Sequence, residues 1–364
     1  MSQPKAVARV LERLTATSRK HRMFQPGQSV LVACSGGPDS ICLLHALFRV
    51  RRLFRIKLAV FHFDHHLRAG SGADAAYVRR QAARLRLPFF LREAEDRPDP
   101  GQSVEAWARL ARYAALTSVA TETSADVAAL GHTLDDQAET VLLGLVRGGG
   151  IEAVAGMTPS GTLPPLGINA VRPLIETTRE EVLSFCRGLR LRPREDPTNR
   201  DRRFLRNRIR KEALPFLERT LDRNLKATLV RTAEHVRADA VYLDALASEA
   251  SRQAVVIGDD EIKLDAGALS AMPQAMAARI VRHALRLAAA ALGGEWEQDV
   301  GAAHVRAVLD LASGRPRRRV DLSGPLMAVR NKEYVRLSRA SPGTGTNRRT
   351  STRRAAGPGR RREA

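Results

Sequence analysis

Val30-Leu31-Val32-Ala33-Cys34-Ser35-Gly36-Gly37-Pro38-Asp39-Ser40-Ile41-Cys42-Leu43-Leu44-His45-Ala46-Leu47 decides the fold. Its first five residues are apolar and rich in β-branched side chains, as in a short strand buried on both faces. Ser-Gly-Gly-Pro then makes a tight turn, where Gly36 and Gly37 can take positive φ and admit a ligand close to the backbone. Pro38 suits the first turn of a helix, where its missing N–H would have no partner. From Ile41 the pattern is helical. A strand, a glycine turn and a helix start together make an anion site, because first-turn N–H groups and the helix dipole point to the same place. Ser35 and Ser40 add hydroxyls. Asp39 would repel a bare phosphate and is read as a Mg2+ ligand. The spacing is not that of the GxxxxGKS/T loop, whose lysine is missing.

Working outward, the same alternation repeats. The pattern predicts an amphipathic helix over 4–24, with Arg9, Arg13, Arg19, Lys20 and Arg22 on a solvated face. A second strand spans 56–63 and a helix lies around 72–86. A short strand over 88–92, a helix over 102–121, a strand over 126–131 and a helix over 135–145 follow. Strands alternating with helices of this length predict an α/β fold with a parallel sheet and ligands at the strand C-termini. From 147 to 173 Gly and Pro replace periodicity, so a long loop or irregular hairpin that could line a site is expected. A capped helix spans 177–190 and a long helical stretch 221–250. A small α+β domain follows at 251–339: a strand at 262–264, helices at 272–292 and 300–313, and a hairpin. That hairpin runs out over 318–322, turns at Ser323-Gly324-Pro325 and returns over 327–337. The expected domains are therefore 1–220, a helical linker 221–250, a C-terminal domain 251–340 and a disordered basic tail 341–364.

Composition narrows the partners. The chain has 364 residues, 44% of them apolar, and a formal net charge of +21, which points to a polyanion, nucleic acid first and a membrane surface second. No apolar run reaches the roughly 18 residues of a spanning helix. Met-Ser-Gln-Pro-Lys lacks the apolar core of a signal peptide, and three cysteines without a disulfide framework lead to the expectation of a reducing, cytoplasmic setting. Cys34, Cys42 and Cys186 form no CxxC pair, which argues against an iron–sulfur or structural zinc site.

Four further clusters carry chemistry. His62-Phe63-Asp64-His65-His66-Leu67-Arg68 closes a strand. A polar loop facing nucleotide is favoured over a metal site, because adjacent histidines project differently. Glu105, Arg109 and Arg112 recur at helical spacing before Tyr113 among small apolar residues, so their face packs at least in part. Gly131-His132-Thr133-Leu134-Asp135-Asp136-Gln137-Ala138-Glu139-Thr140 follows a strand. It puts His132, Asp136 and Glu139 on one helical stripe, with Asp135 beside them. These carboxylates could bind Mg2+ or an ammonium group. Last come Arg172-Pro173-Leu174, Glu195-Asp196-Pro197-Thr198-Asn199 and Arg206-Asn207-Arg208-Ile209-Arg210. Residues 200–211 hold seven basic residues and one acid.

Ser35-Gly36-Gly37-Pro38-Asp39-Ser40 resembles the SGGxDS loop of the PP-loop (N-type) ATP pyrophosphatases. The later clusters, in the same order, resemble the D-H-x-L-R, E-x-x-A-R-x-x-R-Y, H-x-x-D-D-Q-x-E-T, R-P-L, E-D-x-S/T-N and R-N-x-I/L-R motifs of one branch, the bacterial tRNA(Ile)-lysidine synthases. Thr133 departs from it, many relatives having a second histidine there. The resemblance covers the N-terminal two-thirds and fades beyond about residue 225. It implies an adenine nucleotide alpha hydrolase-like PP-loop domain and a C-terminal domain that binds tRNA. It also implies ligation of free lysine to C2 of the wobble cytidine in the CAU anticodon of tRNA(Ile), through an adenylated tRNA, with ATP giving AMP and pyrophosphate. Carried over, Ser35, Gly36, Gly37, Pro38, Asp39, Ser40, His65, Arg68 and His132 bind ATP, and Asp39, with Asp135 as a second candidate, holds Mg2+. Asp39, Arg109, Arg112 and Asp136 serve catalysis, with Arg112 and Arg109 stabilising charge on the activated intermediate. Asp136 and Glu139 hold the lysine ammonium group, and Arg172, Arg206, Arg208 and Arg210 contact tRNA. The alternative within the superfamily is a cytidine 2-thiolase. A homodimer is left open. The tail, with seven arginines and one acid over 341–364, is read as a flexible arm on tRNA phosphate.

Overall fold

The computed structural model describes residues 4–67, 70–98, 103–148, 150–162, 168–194, 202, 205–258, 260–291, 301–322 and 324–339. Arg68, the 195–199 cluster and the 341–364 tail lie outside these residues, as does the side chain of Glu105. The chain divides into two compact units, the first ending at Leu243 and the second beginning at Asp244.

The first unit runs α1 (Lys5–Lys20), β1 (Ser29–Ala33), α2 (Pro38–Phe54), β2 (Lys57–Asp64), α3 (Ser71–Arg84), β3 (Phe89–Glu93), α4 (Val104–Glu122), β4 (Val127–Ala129) and α5 (Leu134–Val146). It continues through a turn of helix, α6 (Ile151–Val154), then β5 (Ser160–Thr162), β6 (Asn169–Val171) and α7 (Arg179–Gly188). The sheet order is β3-β2-β1-β4-β6-β5, parallel except for the β5–β6 pair. The chain adds β2 and β3 on one side of β1 and β4 on the other, which creates a crevice at the C-terminal ends of β1 and β4. Strand β1 is apolar throughout because both its faces are covered. Val30 and Val32 pack with Val10 and Leu14 of α1, Leu43 of α2, Val78 of α3 and Phe185 of α7. Leu31 faces the other way, into Phe61 and into Leu116 and Val119 of α4.

One sequence expectation for this unit changes and another gains detail. The basic face of α1 is not simply solvated: Arg13 pairs with Glu181 at 2.7 Å and Lys20 with Glu176 at 2.8 Å, tying α1 to α7 and to the segment before it. The stretch over 147–173 does contain a hairpin, and β6 also extends the main sheet by pairing in parallel with β4. The Gln137 side chain fastens this stretch to α5, accepting from the Met157 N–H at 2.8 Å and donating to its carbonyl at 3.1 Å. Beyond α7 come α8 (Leu205–Arg208), a π-helical segment (Ile209–Ala213), α9 (Leu214–Leu221) and the long α10 (Leu225–Ala254), which runs into the second unit.

The second unit holds β7 (Val255–Ile257), β8 (Glu261–Asp265), α11 (Ala266–Ala271), α12 (Gln274–Ala291), α13 (Ala302–Ala312), β9 (Arg319–Asp321), β10 (Leu326–Arg330) and β11 (Tyr334–Arg339). Its antiparallel sheet, ordered β7-β8-β11-β10-β9, turns Ile262, Leu264, Ala328, Val335 and Leu337 onto the helices. The alternation Ile262-Lys263-Leu264 is the period-two signal of a sheet with one covered face. The returning strand expected over 327–337 is in fact two strands. Polar Asn331-Lys332-Glu333 breaks it, and the Asn331 N–H closes the turn on the Tyr334 carbonyl at 2.8 Å. Strand β7 had no periodic signal of its own, being three residues at the end of a helix. Among the described residues no helix is long and apolar enough to cross a membrane.

Candidate active site

The glycine turn forms as its residues dictate. Gly36 sits at φ +90°, where a side chain would be strained, and Gly37 precedes α2 without any side-chain cap on the first-turn amides. Inside the turn the Ser40 hydroxyl donates to the Gly37 carbonyl at 3.0 Å and accepts from the Ser35 N–H at 3.1 Å. The loop is therefore shaped by its own serines, and the start of a seventeen-residue helix is left for an anion.

Asp39 lies in the first turn of α2 and is ion-paired to Arg179 through one oxygen, while its Oδ1 is buried with no hydrogen-bond partner among the described residues. Burial raises the Asp39 carboxyl to about 6, helped by the Asp136 charge and opposed by Arg179. A buried carboxylate oxygen with no donor, at a phosphate loop, fits a cation. Asp135, the second metal candidate, has both oxygens engaged, one by the Arg179 N–H at 2.7 Å and the other by Lys226 at 2.9 Å.

The end of β4 packs directly on this loop. A Cβ on Gly131 would stand 3.2 Å from the Asp39 carbonyl carbon and from Ser40 N and Cα, all backbone atoms that cannot swing away. Gly131→Ala is expected to push the loop off its position at an overpacking cost of about 1–3 kcal/mol. ATP titration should show binding weakened by about tenfold or more, alongside a lowered melting temperature. Unchanged ATP affinity would mean that the loop tolerates displacement.

Next in the chain, Thr133 caps α5. Its hydroxyl accepts from the Asp136 N–H at 3.4 Å, and Asp136 Oδ2 accepts from the Thr133 N–H at 2.9 Å. His132 therefore precedes α5 and does not share a helical stripe with Asp136 and Glu139. The T-x-x-D pattern was the signal for this box. His132 Nδ1 accepts from Arg172 Nε at 3.2 Å, which places the ring proton on Nε2. Burial, with the Arg172 charge behind it, pushes the imidazole well below its ordinary value and keeps it neutral. Arg172 is itself buried and donates to the Thr158 carbonyl at 2.7 Å.

Asp136 and Glu139 do lie together, and they hold guanidinium groups. Arg210 donates to Asp136 Oδ1 at 2.8 Å and to Glu139 at 2.5 and 2.9 Å, and Arg206 reaches Glu139 at 3.0 Å and Asp136 at 3.4 Å. Glu139 is 1% exposed. Burial would raise Asp136, but Arg206, Arg210 and the Thr133 N–H hold it below the ordinary carboxylate value. Of the four arginines that the resemblance assigns to tRNA, Arg172, Arg206 and Arg210 are thus engaged by protein groups, and Arg208 is exposed. Arg109 and Arg112 lie 5.9 and 5.4 Å from the centre of the Tyr113 ring. His65 stands edge-on to Phe63, with ring centres 4.6 Å apart.

Sequence reasoning missed three cations here. Arg179 pairs with Asp39, Lys226 with Asp135, and Arg194 donates its N–H to the Gly36 carbonyl at 2.9 Å and its Nε to Asp74 at 3.0 Å. No local pattern marks any of them, since each reaches the site from a distant segment.

A lysine-free glycine loop at the switch point, with an acid in the first helical turn, distinguishes this crevice from other nucleotide sites of parallel sheets. The chain carries a PP-loop domain, the family description matched over residues 5–217. Among curated proteins it is 41% identical over 320 residues to a tRNA(Ile)-lysidine synthase of Solibacter usitatus, covering 86% of this chain and 68% of that one. It is 39% identical over 295 residues to a tRNA(Ile)-lysidine synthase of Symbiobacterium thermophilum, covering 76% of this chain and 59% of that one. The chain belongs to the tRNA(Ile)-lysidine synthase family. It spans about three-fifths to two-thirds of the length of these two relatives. A solved tRNA thiolase of Methanococcus maripaludis shares the fold at TM-score 0.53 and 17% identity, over 63% of this chain and 80% of that one.

Proposed function

We propose that the protein ligates free lysine to C2 of the wobble cytidine in the CAU anticodon of tRNA(Ile), consuming ATP and releasing AMP and pyrophosphate. The observation that carries this reading is the placement of a carboxylate pair, buried Glu139 and partly buried Asp136, beside an uncapped phosphate loop. Anion and cation subsites share one crevice, as a reaction between a nucleotide and an amine requires.

ATP lies with its phosphates on the Ser35–Ser40 turn and the start of α2. Asp39, through the oxygen that has no donor, is the residue to hold Mg2+. The ion supplies charge neutralisation on the phosphates. The cytidine C2 oxygen attacks the α-phosphorus and the bond to the β-phosphate oxygen breaks, so pyrophosphate leaves and the cytidine carries AMP. Arg112, with Arg109 beside it, faces the charge that develops on this intermediate. Neutral His132 offers its Nε2 proton as a hydrogen-bond donor, its ring fixed by Arg172. An amine of lysine then attacks C2, loses a proton and displaces AMP. Asp136 and Glu139 bind the lysine ammonium group by exchanging it for part of the guanidinium contact, so the carboxylates stay neutralised throughout. Arg208 is free to meet tRNA phosphate, which positions the tRNA without reading its sequence. The substrates place the enzyme in the cytoplasm.

A thiolase is disfavoured by the sulfur chemistry. Cys34, Cys42 and Cys186 are all buried, and burial raises all three thiols, Cys34 to about 11 and Cys186 to about 12, which suppresses the thiolate such chemistry needs. Incubating the protein with unmodified tRNA(Ile) and radiolabelled lysine tests the reading. Label should enter tRNA only when ATP is present, with one AMP formed per lysine. ATP-dependent AMP formation that is indifferent to lysine would contradict it.

A further inference from the structure

On the same C-terminal edge of the sheet as the phosphate loop, β2 and β3 end side by side. Asp64 and Glu93 are the last residues of their strands and are partners in the parallel register, so their side chains leave the sheet on the same face. Asp64 is buried, its side chain 2% exposed. Its Oδ1 accepts from the His66 N–H at 2.9 Å, while Oδ2 is buried with no hydrogen-bond partner among the described residues. The His66 ring lies between the two acids: Nδ1 is 3.7 Å from Asp64 Oδ2 and Nε2 is 3.6 Å from Glu93 Oε2. Those separations are too long for hydrogen bonds. One imidazole gives an ion only one of these nitrogens, and bonds of about 2.0–2.2 Å put tetrahedral ligand atoms roughly 3.4 Å apart, so a rotation of the exposed His66 and Glu93 side chains closes the set on one cation. One nitrogen of His66 and one oxygen from each acid lie within 4.8 Å of one another.

We infer that Asp64, His66 and Glu93 form a binding site for a divalent transition-metal ion of the zinc class, separate from the cation at Asp39. Imidazole among the ligands favours zinc-like ions over Mg2+. The Asp64 oxygen that has no hydrogen-bond partner among the described residues gives the site a built anchor, and Glu93 and His66, both about half exposed, leave it open to exchange with solvent. A bound ion ties the ends of β2 and β3 together and fixes the backbone next to His65.

The test uses the full chain, stripped with chelator, without ATP or tRNA. Zn2+ is titrated calorimetrically, and Co2+ is added separately to read its visible absorption. One equivalent should bind, and the Co2+ band should shift and strengthen as nitrogen joins the ligand set. Glu93→Gln changes a half-exposed side chain and should fold normally by circular dichroism. It should weaken Zn2+ binding by about tenfold or more, as should His66→Gln, while Asp39→Asn leaves it unchanged. No uptake at millimolar Zn2+ overturns the site. So does equal affinity in the wild type, Glu93→Gln and His66→Gln.

Discussion

Asp39→Asn will abolish pyrophosphate release while leaving the ligand-free chain at least as stable as the wild type at pH 8. The loss of turnover should be about 100-fold or more, the scale on which a preorganised charge-stabilising group acts in such a site. The stability half follows from the raised carboxyl, about 6 in the folded chain against 3.8 for the ordinary group. Because the folded value is the higher one, the fold favours the protonated acid. That advantage is complete below pH 3.8 and is lost as pH rises through about 6. Ionised Asp39 therefore costs the folded chain about 2–3 kcal/mol at pH 8, a cost that asparagine does not incur. Melting temperatures at pH 5 and pH 8 should show the variant gaining on the wild type at the higher pH. Near-normal pyrophosphate release by a folded Asp39→Asn protein would remove the metal-holding role.

Asp136→Asn should raise the lysine KM by about 10- to 150-fold, corresponding to the roughly 1.5–3 kcal/mol of one charge-assisted contact. Adenylation of tRNA should change much less. Asparagine is the informative substitution because its amide oxygen can still accept from the Thr133 N–H, so the cap of α5 survives. Glu139→Gln is harsher. It leaves two guanidiniums sharing the Asp136 carboxylate, and breaking a fully buried pair costs about 3–5 kcal/mol. Here Arg206 and Arg210 are 26% and 35% exposed, and water softens the loss. Comparing steady-state lysine KM with the rate of tRNA-dependent pyrophosphate release in a single turnover without lysine separates binding from activation. An unchanged lysine KM in Asp136→Asn would assign the pair to holding Arg206 and Arg210 in place.

The parts of this molecule that were legible in the sequence are those whose signal is local. A both-faces-buried strand such as β1 must be apolar at every position, and a turn at Gly36 with φ +90° must have glycine, so both can be read without knowing their neighbours. The order of motifs likewise placed Gly131 and His132 on the strand end next to the phosphate loop. What the sequence did not reveal depends on distant partners. Arg179, Arg194 and Lys226 arrive at Asp39, Gly36 and Asp135 from segments more than ninety residues away in the chain. The basic run over 200–211 looked like a solvated face or a tRNA surface. Nothing in its spacing announced that Arg206 and Arg210 would turn onto Asp136 and Glu139. In the second unit, the break at Asn331-Lys332-Glu333 was hidden because β10 and β11 continue the same alternation on either side of it.

The central claim is that one crevice joins lysine to a cytidine of tRNA at the expense of ATP. It is tested most directly by digesting tRNA(Ile) to nucleosides after incubation with the protein, ATP, Mg2+ and lysine, and weighing the products. The account predicts that one cytidine per tRNA gains the mass of lysine less one water, only in the complete mixture, and that the wobble position carries it. A cytidine of unchanged mass, or one that has exchanged oxygen for sulfur, would contradict it.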